Sequence, residues 1–338
     1  ELAQLLPGTS NIVDGEGTAY IGDFEKSATP YSLMSPAGWK LAATPKTDDK
    51  RFDPSTEPTN DVQAGYKRAK LAWYQVDNQL YRDVGRFKPD NITANDLKNH
   101  YVRAVGPQEI FPFRQLQQGI FYEQIFDVAY YPRERGPYNY NPNLDNNGFL
   151  TNPETNWGGI TNAIETEVDF DKANIEYIEF WLLDPFITGE FGEINDGINP
   201  SKNNTTGGKL VFQLGSISED IIRDAKHSFE NGLPPDGNLD AGATKNNWGF
   251  VSSQSYLIGA FDNSTSARTN QDVGMDGLPT EKEVNFFAET PQSFLNTVNP
   301  TGRAIVETDP SADNFTHWLK SQYDASDAKI LERYKQIN

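Results

Sequence analysis

The sequence predicts a mainly β fold with helical insertions, arranged as a jelly-roll-like β-sandwich. The segment Asn174–Asp184 reads NIEYIEFWLLD, and Gly208–Gly215 reads GKLVFQLG. In both, apolar or aromatic residues recur at every second position, which is typical of half-buried strands. The composition agrees, because 12% aromatic residues together with 27 Gly and 21 Pro favour a loop-rich β protein. We therefore predict that the two segments pair in one sheet of the sandwich.

Length and charge exclude several function classes. The chain has 338 residues, enough for one large domain or two smaller ones. Its net charge of −19 would repel a nucleic-acid backbone or an acidic membrane surface. Because cysteine is absent, disulfides and thiolate chemistry are excluded. The chain begins at Glu1 with no signal peptide, so we expect it to be a piece of a longer protein.

Four further segments are predicted to be strands because they combine β-branched or aromatic residues with turn residues at their ends. In chain order they are Tyr20–Glu25, Trp39–Ala43, Phe121–Tyr131 and Tyr256–Asp262. Together with the two central segments, they provide the strands of the predicted sandwich.

Two helices are predicted as insertions. Residues 64–81 place Tyr66, Trp73 and Leu80 on roughly one stripe, as in an amphipathic helix. Residues 218–231 begin with Ser218 and acidic residues and end before Gly and Pro, the usual order of helix signals. Domain organisation follows: residues 1–308 form the sandwich-like domain, and residues 309–338 form a helical tail.

One local motif points to a metal. The sequence DVGMDGLPTEKE spans Asp272–Glu283 and resembles a twelve-residue calcium loop, which needs oxygen ligands and a Gly at fixed spacings. Position 3 is Gly274, which supplies no side-chain oxygen, so an acidic turn is the alternative interpretation. The predicted calcium ligands are Asp272, Asp276, Thr280 and Glu283.

Catalysis is not predicted. A glycosidase needs two carboxyl groups flanking one bond, but a chain with 48 acidic residues contains close pairs in any case. The three histidines follow no metal-ligand spacing. Trp157, Trp181 and Trp248 could stack on a sugar, but a buried position in the sandwich is the commoner role, and we predict it here.

Six segments resemble the SprA/Sov family, the outer-membrane translocon of the type IX secretion system in Bacteroidetes. The longest reads WGGITNAIETEVDFDKANIEYIEFWLLDPF, and the others occur in the same order as in the family. The resemblance thus extends over nearly the whole chain. The segments are Trp157–Phe186, Glu16–Ser27, Ala129–Tyr140, Leu214–Pro234, Gln271–Leu278 and Ile330–Asn338.

The resemblance implies a role in protein export and, in gliding species, in gliding motility. Family members are giant outer-membrane β-barrels that conduct folded cargo and associate with PorV, a small barrel, and with a periplasmic plug protein. The chain is much shorter than such a protein, so the resemblance implies a soluble insertion domain that is not part of the barrel wall. We expect the extracellular face, with the periplasmic face as the alternative. The resemblance transfers no catalytic residues.

Two other functions stay open on the sequence alone. The first is a calcium-dependent carbohydrate-binding jelly-roll module of a secreted or cell-surface protein, and the second is a glycoside hydrolase. A sugar binder should present an exposed aromatic platform, and a hydrolase should hold two carboxyl groups roughly 5–10 Å apart in a cleft. A domain of a secretion pore requires neither feature.

Overall fold

The computed structural model describes most of the chain in separate stretches. Its contacts divide the chain into two compact units, which are described individually: Glu1–Trp39 with Asn162–Leu183, and Lys40–Thr161 with Asp184–Asn338. The predicted division at residue 308 stays a prediction. The described residues are 5–9, 17–21, 31–44, 62–82, 88–116, 119, 121–165, 168–173, 175–198, 202–205, 207–218, 220–223, 236–238, 243–252, 264–268, 270, 274–289 and 294–336.

The strands of the described residues form five separate two-stranded sheets. The pairs are β1 with β2, β3 with β6, β4 with β5, β7 with β8 and β9 with β10. The pairs β1–β2, β4–β5, β7–β8 and β9–β10 are antiparallel. A jelly-roll sandwich is not seen among these residues. The strands are β1 Leu5–Thr9, β2 Gly17–Ile21, β3 Trp39–Leu41, β4 Ala69–Tyr74, β5 Asp127–Arg135, β6 Ile160–Asn162, β7 Glu193–Ile194, β8 Lys202–Asn203, β9 Ala243–Lys245 and β10 Phe250–Ser252.

Helices are short in the part of the chain that the structure describes. None of them is long and apolar enough to cross a membrane. Short 3-10 turns lie at Pro36–Gly38, Val62–Gly65, Asn78–Tyr81, Asp96–Lys98, Pro153–Thr155 and Glu190–Gly192. The α-helices are α1 Pro107–Ile110, α2 Thr265–Arg268, α3 Thr280–Glu289, α4 Phe294–Thr297, α5 Pro300–Val306, α6 Ser321–Ala325 and α7 Ile330–Tyr334.

The helix predicted over residues 64–81 is wrong, because the centre of this segment is strand β4. All six residues of β4 are buried, so both of its faces are covered. A short apolar run that is buried on both faces carries no period that separates a strand from a helix. The flanking 3-10 turns, Val62–Gly65 and Asn78–Tyr81, contribute further buried positions to the same apparent helical stripe.

Strands β4 and β5 form the central pair of the larger unit, and their ladder contains a bulge. Ala69 pairs with Arg135, whereas Lys70 pairs with Tyr131. Three residues of β5 therefore lie opposite a single step of β4. One of them, Glu134, accepts a hydrogen bond of 2.9 Å from the buried Nζ of Lys335.

The main apolar cluster packs β4 against the C-terminal helix α7. Tyr334 stacks on Tyr74 with ring centroids 4.6 Å apart, and Trp318 stacks on Tyr334 at 5.6 Å. Stacked aromatic side chains bury large areas, so these three rings dominate the energetics of the cluster. The other buried members are Ala72, Val76, Leu80, Ile92, Val102, Ile330 and Leu331.

The predicted central strand pair is also wrong for the described residues. Residues 175–184 and 207–215 contain no strand, and their apolar side chains are largely exposed. Trp181, for example, is 72% exposed, so its predicted position in a sandwich core is incorrect. Alternation specifies which side chains can share a face, but a strand also needs a neighbouring backbone with which to form a ladder.

The remaining predictions have mixed outcomes. Strand β3 confirms the segment Trp39–Ala43, and β5 begins six residues after the predicted start at Phe121. Residues 22–25 and the whole of Tyr256–Asp262 lie outside the described residues. The helix predicted over residues 218–231 is not formed at Ser218 or at residues 220–223, and the other residues of this range lie outside the described residues. Ile221 and Ile222 are nevertheless buried.

Candidate functional site

The candidate site is a buried polar cluster around Ser311, where two of the predicted calcium ligands meet. The Oε2 atom of Glu283 accepts a hydrogen bond of 2.9 Å from the backbone N–H of Ser311. The Ser311 hydroxyl donates to the Oδ2 atom of Asp276. All three residues are almost completely buried. Ser311 therefore joins two carboxylates that are seven positions apart in the sequence.

Local structure explains how Asp276 and Glu283 reach Ser311. The Oδ1 atom of Asp276 accepts the N–H of Leu278 at 3.0 Å, which closes a turn ahead of helix α3. Gly277 supplies the positive φ of +68° that this turn uses. Glu283 lies in the first turn of α3, on the same buried face as Phe286 and Phe287. The turn and the helix thus direct both carboxylates inward.

Tyr140 completes the network from the aromatic side. Its hydroxyl lies 3.1 Å from the Ser311 Oγ atom, and its ring packs against Phe287 at a centroid distance of 4.3 Å. Burial raises the pKa of the Tyr140 hydroxyl well above its usual range, and the nearby charge of Asp276 raises it further. Tyr140 therefore stays protonated and can donate a hydrogen bond at any ordinary pH.

Glu283 also belongs to a group of three carboxylates. One oxygen each from Glu283, Asp309 and Asp313 lies within 4.8 Å of the others. Carboxylate oxygens are the preferred ligands of hard cations such as Ca²⁺, which binds them at about 2.3–2.6 Å. Three carboxylates at this spacing have the ligand chemistry for a divalent cation.

A protein cation lies beside the same carboxylates. Arg135 donates to the backbone carbonyl oxygens of Asp309 at 2.7 Å and of Pro310 at 2.8 Å. Burial lowers the pKa of the Arg135 guanidinium, and the charges of Asp309, Glu283 and Asp313 partly offset this. The guanidinium therefore neutralises part of the acidic charge, and the cluster also has a structural role between β5 and residues 309–313.

The predicted ligand set is only partly assembled. Asp272 lies outside the described residues. Thr280, the first residue of α3, donates a hydrogen bond of 2.7 Å to Asn314. Thr280 and Glu283 both lie in the first turn of α3, and the calcium ligand set stays a prediction. Asp276 and Glu283 do come together, but around Ser311.

The sequence pattern does not point to Ser311, Asp309, Asp313 or Arg135 as members of the site. These residues are separated from Glu283 by at least 26 positions, so no local spacing connects them with the motif. The run DPSADN at residues 309–314 falls at the start of the predicted helical tail, and nothing in its spacing points to helix α3. Only the tertiary fold brings the run to helix α3.

Comparison of the chain with models of known protein families and with curated proteins finds no match. The chemistry of the cluster is therefore inferred from its own atoms. These atoms combine buried carboxylates, a hydroxyl pair and one guanidinium, a set that suits structural support or cation binding.

The calcium prediction is tested by thermal unfolding. If calcium binds these oxygens, millimolar calcium raises the Tm by several degrees, because a ligand that binds only the folded state stabilises it by mass action. Asp309→Asn should abolish that increase, whereas Asp145→Asn, in a separate Asn-rich turn, should retain it. A Tm that is the same in calcium and in chelator would contradict the prediction and leave the cluster with its structural role alone.

Proposed function

We propose that the chain is a non-catalytic domain of a type IX secretion outer-membrane translocon. In this role it caps or gates the pore and contacts cargo or partner proteins during export, and it supports gliding motility in gliding species. The support is the resemblance of six ordered segments to the SprA/Sov family. The proposed partners are secreted cargo, a PorV-like small outer-membrane protein and a periplasmic plug protein.

One structural observation carries the proposal of a contact surface. Within the longest family-like segment, Tyr177 is 76% exposed and Leu182 is 71% exposed. Ile178, Phe180 and Leu183 are also exposed in the same stretch, which forms neither helix nor strand. Contiguous apolar surface of this kind marks sites of interaction with other proteins or with membranes.

The larger unit has an exposed apolar stretch of its own. Leu210, Val211, Phe212 and Leu214 are all exposed within residues 207–215. Lys209 precedes these residues and Gln213 lies among them, so a bound partner would meet a mainly apolar strip with two polar side chains. Both stretches suit extended contacts that add a strand or cover a face.

The arrangement and location of the domain belong to the same proposal. We propose that it is an insertion domain of the translocon on the extracellular face, with the periplasmic face as the alternative. A jelly-roll-like sandwich remains our proposal for the complete domain in its parent protein. In that setting, the extended stretches would obtain the neighbouring strands that they need.

The proposal is tested by protein export from cells that produce the full-length translocon. We expect the double substitution Tyr177→Ser and Leu182→Ser to reduce the secreted cargo several-fold, measured by quantitative immunoblot of the medium. Exposed substitutions change stability by only about 0.5 kcal/mol, so the translocon should still accumulate. Phe113→Ser is the matched control, because Phe113 is 100% exposed elsewhere in the chain. Unchanged export in the double variant, at normal translocon levels, would refute the proposed contact surface.

A second candidate function gains support from one observation. The exposed rings of Tyr177 and Trp181 lie four positions apart in a stretch that forms neither helix nor strand, and exposed aromatic rings are what a sugar-binding platform needs. This arrangement favours the carbohydrate-binding alternative. Glycan arrays distinguish the two functions: we expect no binding, whereas sugar binding that Trp181→Ala abolishes would replace the secretion proposal.

A further inference from the structure

A buried lysine lies between two carboxyl groups at a point where three distant segments of the larger unit meet. The Nζ atom of Lys335 is 2.9 Å from Glu134 Oε1 and 3.4 Å from Asp196 Oδ2. The side chains of Lys335, Glu134 and Asp196 are 5%, 14% and 3% exposed. Most of the surface of these three side chains is therefore removed from water.

Three different elements position these groups. Glu134 lies in the bulge of β5, Asp196 follows β7 by two positions, and Lys335 directly follows helix α7. The Oδ1 atom of Asp196 accepts a hydrogen bond of 3.2 Å from the N–H of Ile198. The carbonyl oxygen of Asp196 accepts a second one, of 2.9 Å, from Lys335 Nζ. These contacts hold the Asp196 carboxyl group with Oδ2 toward the amine.

The Tyr131 side chain adds an aromatic wall and a hydroxyl group. Its ring centroid lies 4.2 Å from Lys335 Nζ. Its hydroxyl is buried and, among the described residues, has no hydrogen-bond partner. Burial raises the pKa of this hydroxyl, and the charges of Glu134 and Asp196 raise it further. The hydroxyl therefore stays protonated and can donate to a negative oxygen that develops beside these carboxyl groups.

We propose that Lys335 and Asp196 react with each other to form an intramolecular isopeptide bond, with Glu134 as the proton carrier. Amide formation needs an amine, a carboxyl carbon and a group that moves protons between them, and the structure brings these three together. The bond would tie the end of helix α7 to the turn after β7. The proposal concerns the larger unit alone and holds whether or not the secretion proposal is correct.

The reaction is a condensation that needs no oxidant and no cofactor. The bond between Lys335 Nζ and Asp196 Cγ forms, and one Cγ–Oδ bond of Asp196 breaks. Of the three protons on the Lys335 ammonium group, one stays on the amide nitrogen and two leave with the Asp196 oxygen as water. Glu134 accepts a proton along its 2.9 Å contact with Nζ and passes it to the departing oxygen, so its own protonation is unchanged at the end.

Proximity and burial favour this bond, which the same groups do not form in dilute solution. Groups held in a reacting geometry behave as if their effective concentration were about 10⁵–10⁸ M. Buried ions carry a desolvation cost, and amide formation removes one buried positive and one buried negative charge. Burial also raises the pKa of Glu134, although the charges of Lys335 and Lys70 oppose this effect. The neutral acid that protonates the departing oxygen is therefore more accessible than in a solvated glutamate.

Peptide mapping of the folded wild-type chain by mass spectrometry tests the bond and needs no variant. Trypsin cuts after Lys172, Lys202 and Arg333, so we expect a branched peptide that joins residues 173–202 to the peptide beginning at Tyr334. Its mass should be lower by one water molecule than the sum of its two parts, and fragmentation should place the link between Asp196 and Lys335. Cleavage after Lys335, with full recovery of the linear peptide 173–202, would overturn the proposal and leave a buried ion cluster.

Substitutions assign the roles in the same experiment. Lys335→Arg keeps the positive charge but cannot form the amide, so it should give linear peptides only. Glu134→Gln cannot carry a proton and should lower the yield of the branched peptide about tenfold or more. Lys329→Arg is the matched control, because Lys329 pairs with Asp96 and Asp327 in a more exposed position, and it should retain the branched peptide. A wild-type yield in Glu134→Gln would overturn the role of Glu134 as proton carrier.

Discussion

Arg333→Leu is expected to lower the free energy of unfolding by about 3–5 kcal/mol, the usual cost of removing one partner of a buried charged network. The Arg333 guanidinium is completely buried in helix α7. It donates to the carbonyl oxygens of Ala328 and Trp318, both at 2.9 Å. It also donates to the Asn91 side chain at 2.7 Å and to the Asp324 carboxylate at 2.6 Å. Leucine would fill part of the volume but leave these oxygens without a donor.

Urea unfolding followed by tryptophan fluorescence measures this loss, because Trp318 stacks on Tyr334 next to Arg333. Asp324→Asn is the matched control. The Asp324 side chain is about half exposed, so removing its charge should cost no more than about 1 kcal/mol. If Arg333→Leu loses as little as the control, the hydrogen bonds of the guanidinium do not stabilise the C-terminal helices.

Tyr140→Ala is expected to destabilise the chain by a similar amount, about 3–5 kcal/mol, through loss of a large buried ring. Tyr140 is completely buried, and its ring contacts Phe287, Phe294 and Trp248 at centroid distances of 4.3, 5.6 and 5.8 Å. Removal would open a cavity at the centre of this aromatic cluster and would also take one partner from Ser311.

Tyr140→Phe separates the ring from the hydroxyl. It retains the aromatic packing and removes only the contact with Ser311, so we expect a loss of about 1 kcal/mol in the same unfolding experiment. A loss in Tyr140→Phe as large as in Tyr140→Ala would show that the polar network around Ser311, and not the aromatic packing, dominates the stability of this region.

The local sequence pattern predicted some elements correctly and others wrongly, because it reports on side chains and not on backbone pairing. Strand β3 was predictable because it contains apolar residues and has turn residues within a few positions of its ends. Strand β4 was not, because burial on both faces erases the alternation that identifies a strand. The stretch 175–184 shows the opposite case: its alternation is clear, but no ladder forms among the described residues. Alternation shows which side chains can share one face of a strand. Strand pairing also needs a second backbone segment, which is usually distant in sequence.

The candidate site also contains some residues that the sequence indicates and others that it does not. Asp276 and Glu283 were selected from the sequence as calcium ligands, because the motif places oxygen ligands and Gly277 at fixed spacings, and the structure brings both carboxylates to Ser311. Ser311 and Arg135 come from segments far away in sequence, and nothing in their spacing connects them with Glu283. A site built across long sequence separations becomes visible only when the tertiary fold is known.

The bulge between β4 and β5 has a consequence for sequence variation among relatives. The carbonyl oxygens of Pro132 and Arg133, inside the bulge, accept hydrogen bonds from Asn156 and Leu150. The third residue of the bulge, Glu134, accepts a hydrogen bond from Lys335. The next residue, Arg135, is again paired in the ladder. Each residue of this stretch thus serves a different part of the larger unit. Evolution can exchange side chains here, but insertion or deletion of a single residue would misdirect all of these contacts at once, so the length of the stretch should be invariant.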